Sequence, residues 1–224
     1  MTEIGLLRLG HLLGLVYWLG ADLGVFYSSY LLCDERQPPV VRVAAGKILF
    51  ALDQAPRISM TLMLPLGVHL AVRLGYVAVP ENTGNGLIAG VWLLAAAWLG
   101  MVLALHFRGH GGRLAWLARL DFGFRAVLAL VLLGVAAGAV TGLLDGVSAW
   151  AGWKLGVFGG LVLCGLAVRL RLRPFGPAFA ALARGEAGAA ENAVIRRSIG
   201  GTRPFVLAIW AGLLVNTALG LHLL

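Results

Sequence analysis

The chain has 224 residues, 60% of them hydrophobic and only 12% charged, with a formal charge of +8. Soluble domains sit nearer about 45–50% apolar and about 25% charged, so the composition excludes a water-soluble enzyme. Disorder, collagen and coiled coil fall with it, since no Gly-X-Y or heptad period runs through the chain. A basic balance points to nucleic acid only where charge gathers on one solvated face. Here Lys and Arg punctuate apolar segments instead, which is how a polytopic membrane protein sets its topology. Thirty-two glycines suit close helix packing in a bilayer.

A helix needs about 20 residues to cross roughly 30 Å of hydrocarbon. Six segments qualify, over about 5–32, 56–79, 86–107, 122–144, 149–170 and 204–224. The first carries Arg8, His11 and Asp22 and is followed by no small-residue cleavage site, so it reads as a span and not a signal peptide. Between the first two, residues 38–54 form an amphipathic surface piece. Residues 80–86, Pro-Glu-Asn-Thr-Gly-Asn-Gly, read as a turn cluster before the third span, and Leu144-Asp145-Gly146 as a tighter one after the fourth. Residues 171–203 form a surface loop with a short helix around 179–184. The expected fold is an all-α transmembrane bundle in a single domain over 1–224. Cys33 and Cys164 are too few for a disulfide framework and read as reduced packing residues.

Orientation follows from the basic residues. Fifteen of the eighteen fall in the loops after the first, third and fifth spans, which are expected to be cytoplasmic, with both termini outside. Arg8, Arg73 and Lys154 fall on the other side. Only Lys47 and Lys154 are lysine, and that Arg bias with the Ala and Gly richness suggests a GC-rich bacterial source and an inner membrane.

An ionisable group inside a span is costly and by default marks a site. On the first helix His11, Gly14, Trp18 and Asp22 follow steps of 3, 4 and 4 and share a face. On the second, Thr61, Pro65, His69 and Arg73 share a stripe. His11 lies roughly 9 Å and His69 roughly 15 Å below the outer surface by helical rise, a difference of about one turn. Two imidazoles at similar depth on adjacent helices suit the axial ligands of a b-type haem. Arg8 and Arg73, one turn outward of each, would then meet the propionates, since guanidinium pairs best with carboxylate. The alternative for these four is interhelical hydrogen bonding and snorkelling. Lys154, beside Trp150 and Trp153, reads either as a belt lysine or as a cation for an anionic substrate. Asp22 is a proton carrier or a partner of Lys154 or Arg57. His222 is an alternative ligand with His11, His106 and His110 read as interfacial, and Met60 with Met63 have the softness Cu(I) prefers. No C-x-x-C-H, P-loop, nucleophile elbow, HExxH or strand-borne GxGxxG is present.

Residues 11–20, HLLGLVYWLG, resemble the opening helix of HemJ-type protoporphyrinogen oxidases. The stretch WAGWKLGVFGGLVLCGLAVRL, with the basic loop and the Pro204-led helix after it, is similar to that family's later half, where a lysine matches Lys154. The region from Thr141 through Lys154 to Arg169 also looks like the membrane domain of CopD-type copper proteins. The chain departs from HemJ-type proteins in having six spans where they have about four, Cys164 where they often carry histidine, and Gly201-Thr202-Arg203-Pro204 in place of Asn-Glu-x-Pro. The resemblance covers about half of the chain and implies haem b and porphyrin-like chemistry at His11.

The function expected from residues and resemblance together is electron transfer by a haem b protein, oxidising a porphyrin or exchanging electrons with quinone or a partner redox protein. His11 and His69 would ligate iron, Arg8 and Arg73 would hold propionates, Trp18 would wall the pocket and Lys154 would bind the anionic substrate or a quinone oxygen. The partner would be another redox protein or a second copy of the chain. CopD-like copper transport and a non-catalytic anchor subunit are the alternatives.

Overall fold

The computed structural model describes residues 2–108 and 115–223, and these form nine helices and no β-strand. They are α1 (Glu3–Cys33), α2 (Pro39–Leu52), α3 (Gln54–Arg73), α4 (Glu81–Arg108), α5 (Ala115–Thr141), α6 (Ala149–Arg171), α7 (Phe175–Ala183), α8 (Ala189–Gly200) and α9 (Arg203–Gly220). Six helical stretches are long and apolar enough to cross a membrane, and the fold is a polytopic helix bundle. Its surface confirms the solvent. Leu93 is 72% exposed, Leu130 66% and Val127 61%, while Asp121 and Arg125 are buried. An apolar exterior with charged groups buried inside is stable where lipid replaces water.

Helix boundaries depart from the sequence expectation at three places, each for a local reason. The turn cluster at 80–86 is helical from Glu81, with Pro80 accepting the Gly84 amide at 2.8 Å in the first turn. Pro, Glu, Asn and Thr are turn formers that equally suit a helix start, where amides are free of intrahelical partners. α5 begins at Ala115, seven residues before the expected Phe122, which brings Asp121 inside the helix. It stops at Thr141 because Gly142 takes φ +72°. The segments 38–54 and 171–203 do not lie separately on the surface. α2, α7 and α8 pack together against the end of α1 around Leu32, Leu49, Phe175, Leu182, Ile195 and Ile199, a second apolar core at the arginine-rich end.

The main core runs through α1, α3, α4, α5, α6 and α9 around Trp18, Trp98, Leu132, Phe158, Val162 and Leu213. α6 lies against α5 along Gly152, Gly156 and Gly159. A Cβ at Gly152 would stand 2.8 Å from Ala139 Cβ and 3.2 Å from the Ala136 carbonyl, so the glycines set how closely the two backbones approach. Gly152→Leu is expected to cost about 1–3 kcal/mol by overpacking. Gly160→Leu, where a Cβ meets nothing within 4 Å, stays within about 0.5 kcal/mol. Denaturant unfolding in detergent measures both.

The face that carries both termini is closed by two loops. The Ala78 amide donates to Gly146 O at 2.6 Å and the Ser148 amide to Tyr76 O at 2.9 Å, which holds Tyr76 stacked on Trp150 with ring centroids 4.1 Å apart.

Candidate functional site

α1, α3, α6 and α9 enclose a cavity of about 560 Å³ in the half of the bundle nearest the termini. Leu15, Leu64, Leu155 and Phe158 form its apolar walls, and Trp18 closes its inner end. Arg8, His11, Lys154 and His222 bring charge and imidazole to it. The stripe expected on α1 is thus real, with His11 and Trp18 on the cavity and Asp22 one turn beyond Trp18.

His11 sits against Gly67, where a Cβ would stand 3.4 Å from its Cε1; the absence of a side chain on α3 leaves the ring its place. Its Nδ1 is buried and has no hydrogen-bond partner. A buried nitrogen left so costs free energy until something meets it. Lys154 is held from α9: its Nζ donates to Asn216 O at 3.0 Å, the Asn216 amide returns a bond to Lys154 O at 3.3 Å, and Trp150 Nε1 donates to Leu219 O at 2.8 Å. The ammonium stands 4.9 Å from the Trp150 ring. His222 stacks on Trp150 at 5.4 Å, with its Nε2 3.3 Å from the Tyr76 hydroxyl.

His69 and Arg73 are not brought to this cavity. Trp92 Nε1, which can only donate, bonds His69 Nδ1 at 3.4 Å. Nε2 therefore carries the ring proton and donates to Glu3 Oε1 at 3.0 Å. Arg73 gives its Nε to the same Glu3 oxygen at 3.2 Å and Nη1 to Asn85 at 3.1 Å. The expected pairing of His11 with His69 assumed that both stripes face one space. The α3 stripe instead turns toward α4 and the start of α1, because Glu3 and Trp92 satisfy it there.

Asp22 is buried, receives Trp210 Nε1 at 3.3 Å and lines a second cavity with Arg57, not the one that holds Lys154. Met60 and Met63 face different cavities; Met60 Sδ accepts from Arg125 Nη1 at 3.7 Å, whereas Met63 lines the first. His106 is exposed at the end of α4 beside Phe107, and His110 lies outside the described residues.

No known protein family, curated protein or solved structure matches the chain. The site is therefore read from its own chemistry.

Sequence reasoning missed Tyr76, Trp150 and Asn216 as cavity residues. Asn216 was the findable one, a lone amide in an apolar helix. It also missed the buried centre of the bundle. Asp121, fully buried, accepts from Trp98 Nε1 at 3.2 Å, from Arg125 Nε at 3.1 Å and from Arg169. The i,i+4 spacing of Asp121 and Arg125 was its signal. Arg125 and Arg169, counted among the charges that set topology, are structural ions of the core.

The first cavity is lined by the imidazoles of His11 and His222, one anchored ammonium, an exposed arginine and a large apolar surface. That set can hold a flat, largely apolar molecule with acidic groups at its edge: the walls take the body, the cations the acids.

Proposed function

We propose that the chain is a haem b protein of the bacterial inner membrane that exchanges electrons, with the tetrapyrrole seated in the cavity near the termini. The observation that carries this is His11, which lines a cavity of about 560 Å³ and whose Nδ1 is buried without a hydrogen-bond partner. The residues present fit the group: Gly67 leaves room beside the ring, leucines and Phe158 line the volume, and Arg8 and Lys154 supply cations for carboxylates.

A haem bound there supplies one-electron exchange, at a potential set by axial ligand, burial and hydrogen bonding. The chain's own residues do the rest. His11 would hold the iron through its imidazole, and His222 is a second imidazole on the same cavity. Lys154, fixed by Asn216, holds its charge where a carboxylate can reach it. Trp18 and the leucines keep water from the site. The charge bias of the loops supports an outward-facing site, with the arginine-rich end in the cytoplasm.

An oxidised and reduced absorbance spectrum of protein purified in mild detergent tests this. Wild type and His69→Ala are expected to show a Soret band, and His11→Ala to lose it while circular dichroism keeps the helical signal. A wild type with no Soret band, before and after reconstitution with haemin, overturns the proposal.

A further inference from the structure

A second cavity, of about 110 Å³, lies beyond Trp18 in the other half of the bundle, and Trp18 lines both. Four arginines from four helices line it, Arg57 of α3, Arg125 of α5, Arg169 of α6 and Arg203 of α9. Their carboxylate partners do not balance them. Asp53 takes Arg57, with Nε 2.7 Å from Oδ2. Asp121 is shared by Arg125 and Arg169, one negative charge for two positive ones. Arg203 has no carboxylate partner among the described residues; its guanidinium lies 3.7 Å from the Tyr30 ring centre and its Nε is buried and unbonded. Arg125 is 3% exposed and its Nη2 also bonds nothing. Asp22, the remaining carboxylate on the wall, is bonded by Trp210.

Four cations thus stand against three carboxylates in a region of low dielectric, with two guanidinium nitrogens unsatisfied. Buried excess charge of this kind is costly unless an anion completes it. The cavity has room for a few waters or one group the size of a phosphate. Arginines drawn from four helices around one cavity suit the spread oxygens of a tetrahedral oxyanion, which accepts forked N–H pairs. Arg57 and Arg169 keep 26% and 21% of their side chains exposed, so the site is reachable from the arginine-rich end.

We propose that this second cavity is an oxyanion site for one phosphate group, carried either by an anionic lipid or by free inorganic phosphate. It is independent of what fills the first cavity.

The test is thermal unfolding of delipidated protein in a phosphate-free maltoside detergent. One arm adds sodium phosphate against sodium chloride at equal ionic strength. The other adds phosphatidylglycerol against diacylglycerol with the same tails. A rise in Tm with inorganic phosphate identifies the free oxyanion, and a rise with phosphatidylglycerol alone identifies the lipid headgroup; either supports the site. Arg203→Gln is expected to weaken the effective ligand at least tenfold. Asp22→Asn, which removes a negative charge from the wall, is expected to tighten it several-fold and decides the matter if Arg203→Gln does not fold. No rise in either arm, an Arg203→Gln response equal to wild type, or an Asp22→Asn response no tighter than wild type overturns the proposal.

Discussion

Asp121→Ala is expected to cost about 3–5 kcal/mol of stability, the range for removing one partner of a buried ion pair. Asp121 is fully buried and meets three donors on three helices, Trp98 of α4, Arg125 of α5 and Arg169 of α6. Its loss leaves Arg125, which lies over the Trp98 ring at 5.0 Å, as a desolvated cation with only a methionine sulfur to meet it. Arg169 is better placed, since its side chain is 21% exposed and its long stem can carry the charge outward. The penalty therefore falls mostly on Arg125. Asp121→Leu combined with Arg125→Met is accordingly expected to recover most of the loss, because replacing both members of a buried pair by apolar groups is often near neutral. Unfolding in detergent by denaturant or heat measures each variant. A single variant within about 1 kcal/mol of wild type would contradict the assignment of Asp121 as the shared counter-ion.

The spans were legible in the sequence because the bilayer asks for one thing, about 20 apolar residues in a row. α1 and α6 were read within a few residues of their ends for that reason. Legibility failed where polar residues do a structural task inside the protein. Asp121 stands seven residues into α5, and a hydropathy reading that stops at the first charge leaves it in a loop. α2 was expected on the surface because it is amphipathic, and α7 and α8 because they are too short to span and stand between basic stretches. Their apolar faces find each other through α1 contacts that no local pattern encodes. The site was half legible. His11 and Lys154 were picked as costly intramembrane groups, Trp18 by its place on the His11 stripe and Arg8 as the guanidinium one turn outward, and the four do share a cavity. His69 and Arg73 were picked by the same rule, yet helical periodicity gives a stripe and not the direction it faces. The partners it meets, Glu3 sixty-six residues away and Trp92, lie outside any local pattern.

Lys154 separates a structural from a functional role in one measurement. Its ammonium makes a single hydrogen bond, to Asn216 O, and the clasp between α6 and α9 has two further bonds, from Asn216 Nδ2 and from Trp150 Nε1. Lys154→Met keeps an unbranched side chain of similar length along the cavity wall. It removes one charge-assisted hydrogen bond, so about 1.5–3 kcal/mol of stability is expected to go. Anion recognition is lost separately, since the ammonium is the anchored cation of the first cavity and Arg8 is exposed. A charge-assisted bond is worth about 1.5–3 kcal/mol, so haem or any other acid-bearing occupant is expected to bind about 10- to 100-fold more weakly. Lys154→Arg restores the charge and part of the affinity. Tm and ligand titration, measured on the same preparations, read the two effects apart. A fall in Tm with unchanged affinity makes Lys154 a clasp between helices alone. A fall in Tm with a large loss of affinity makes it the residue that receives the ligand's acid.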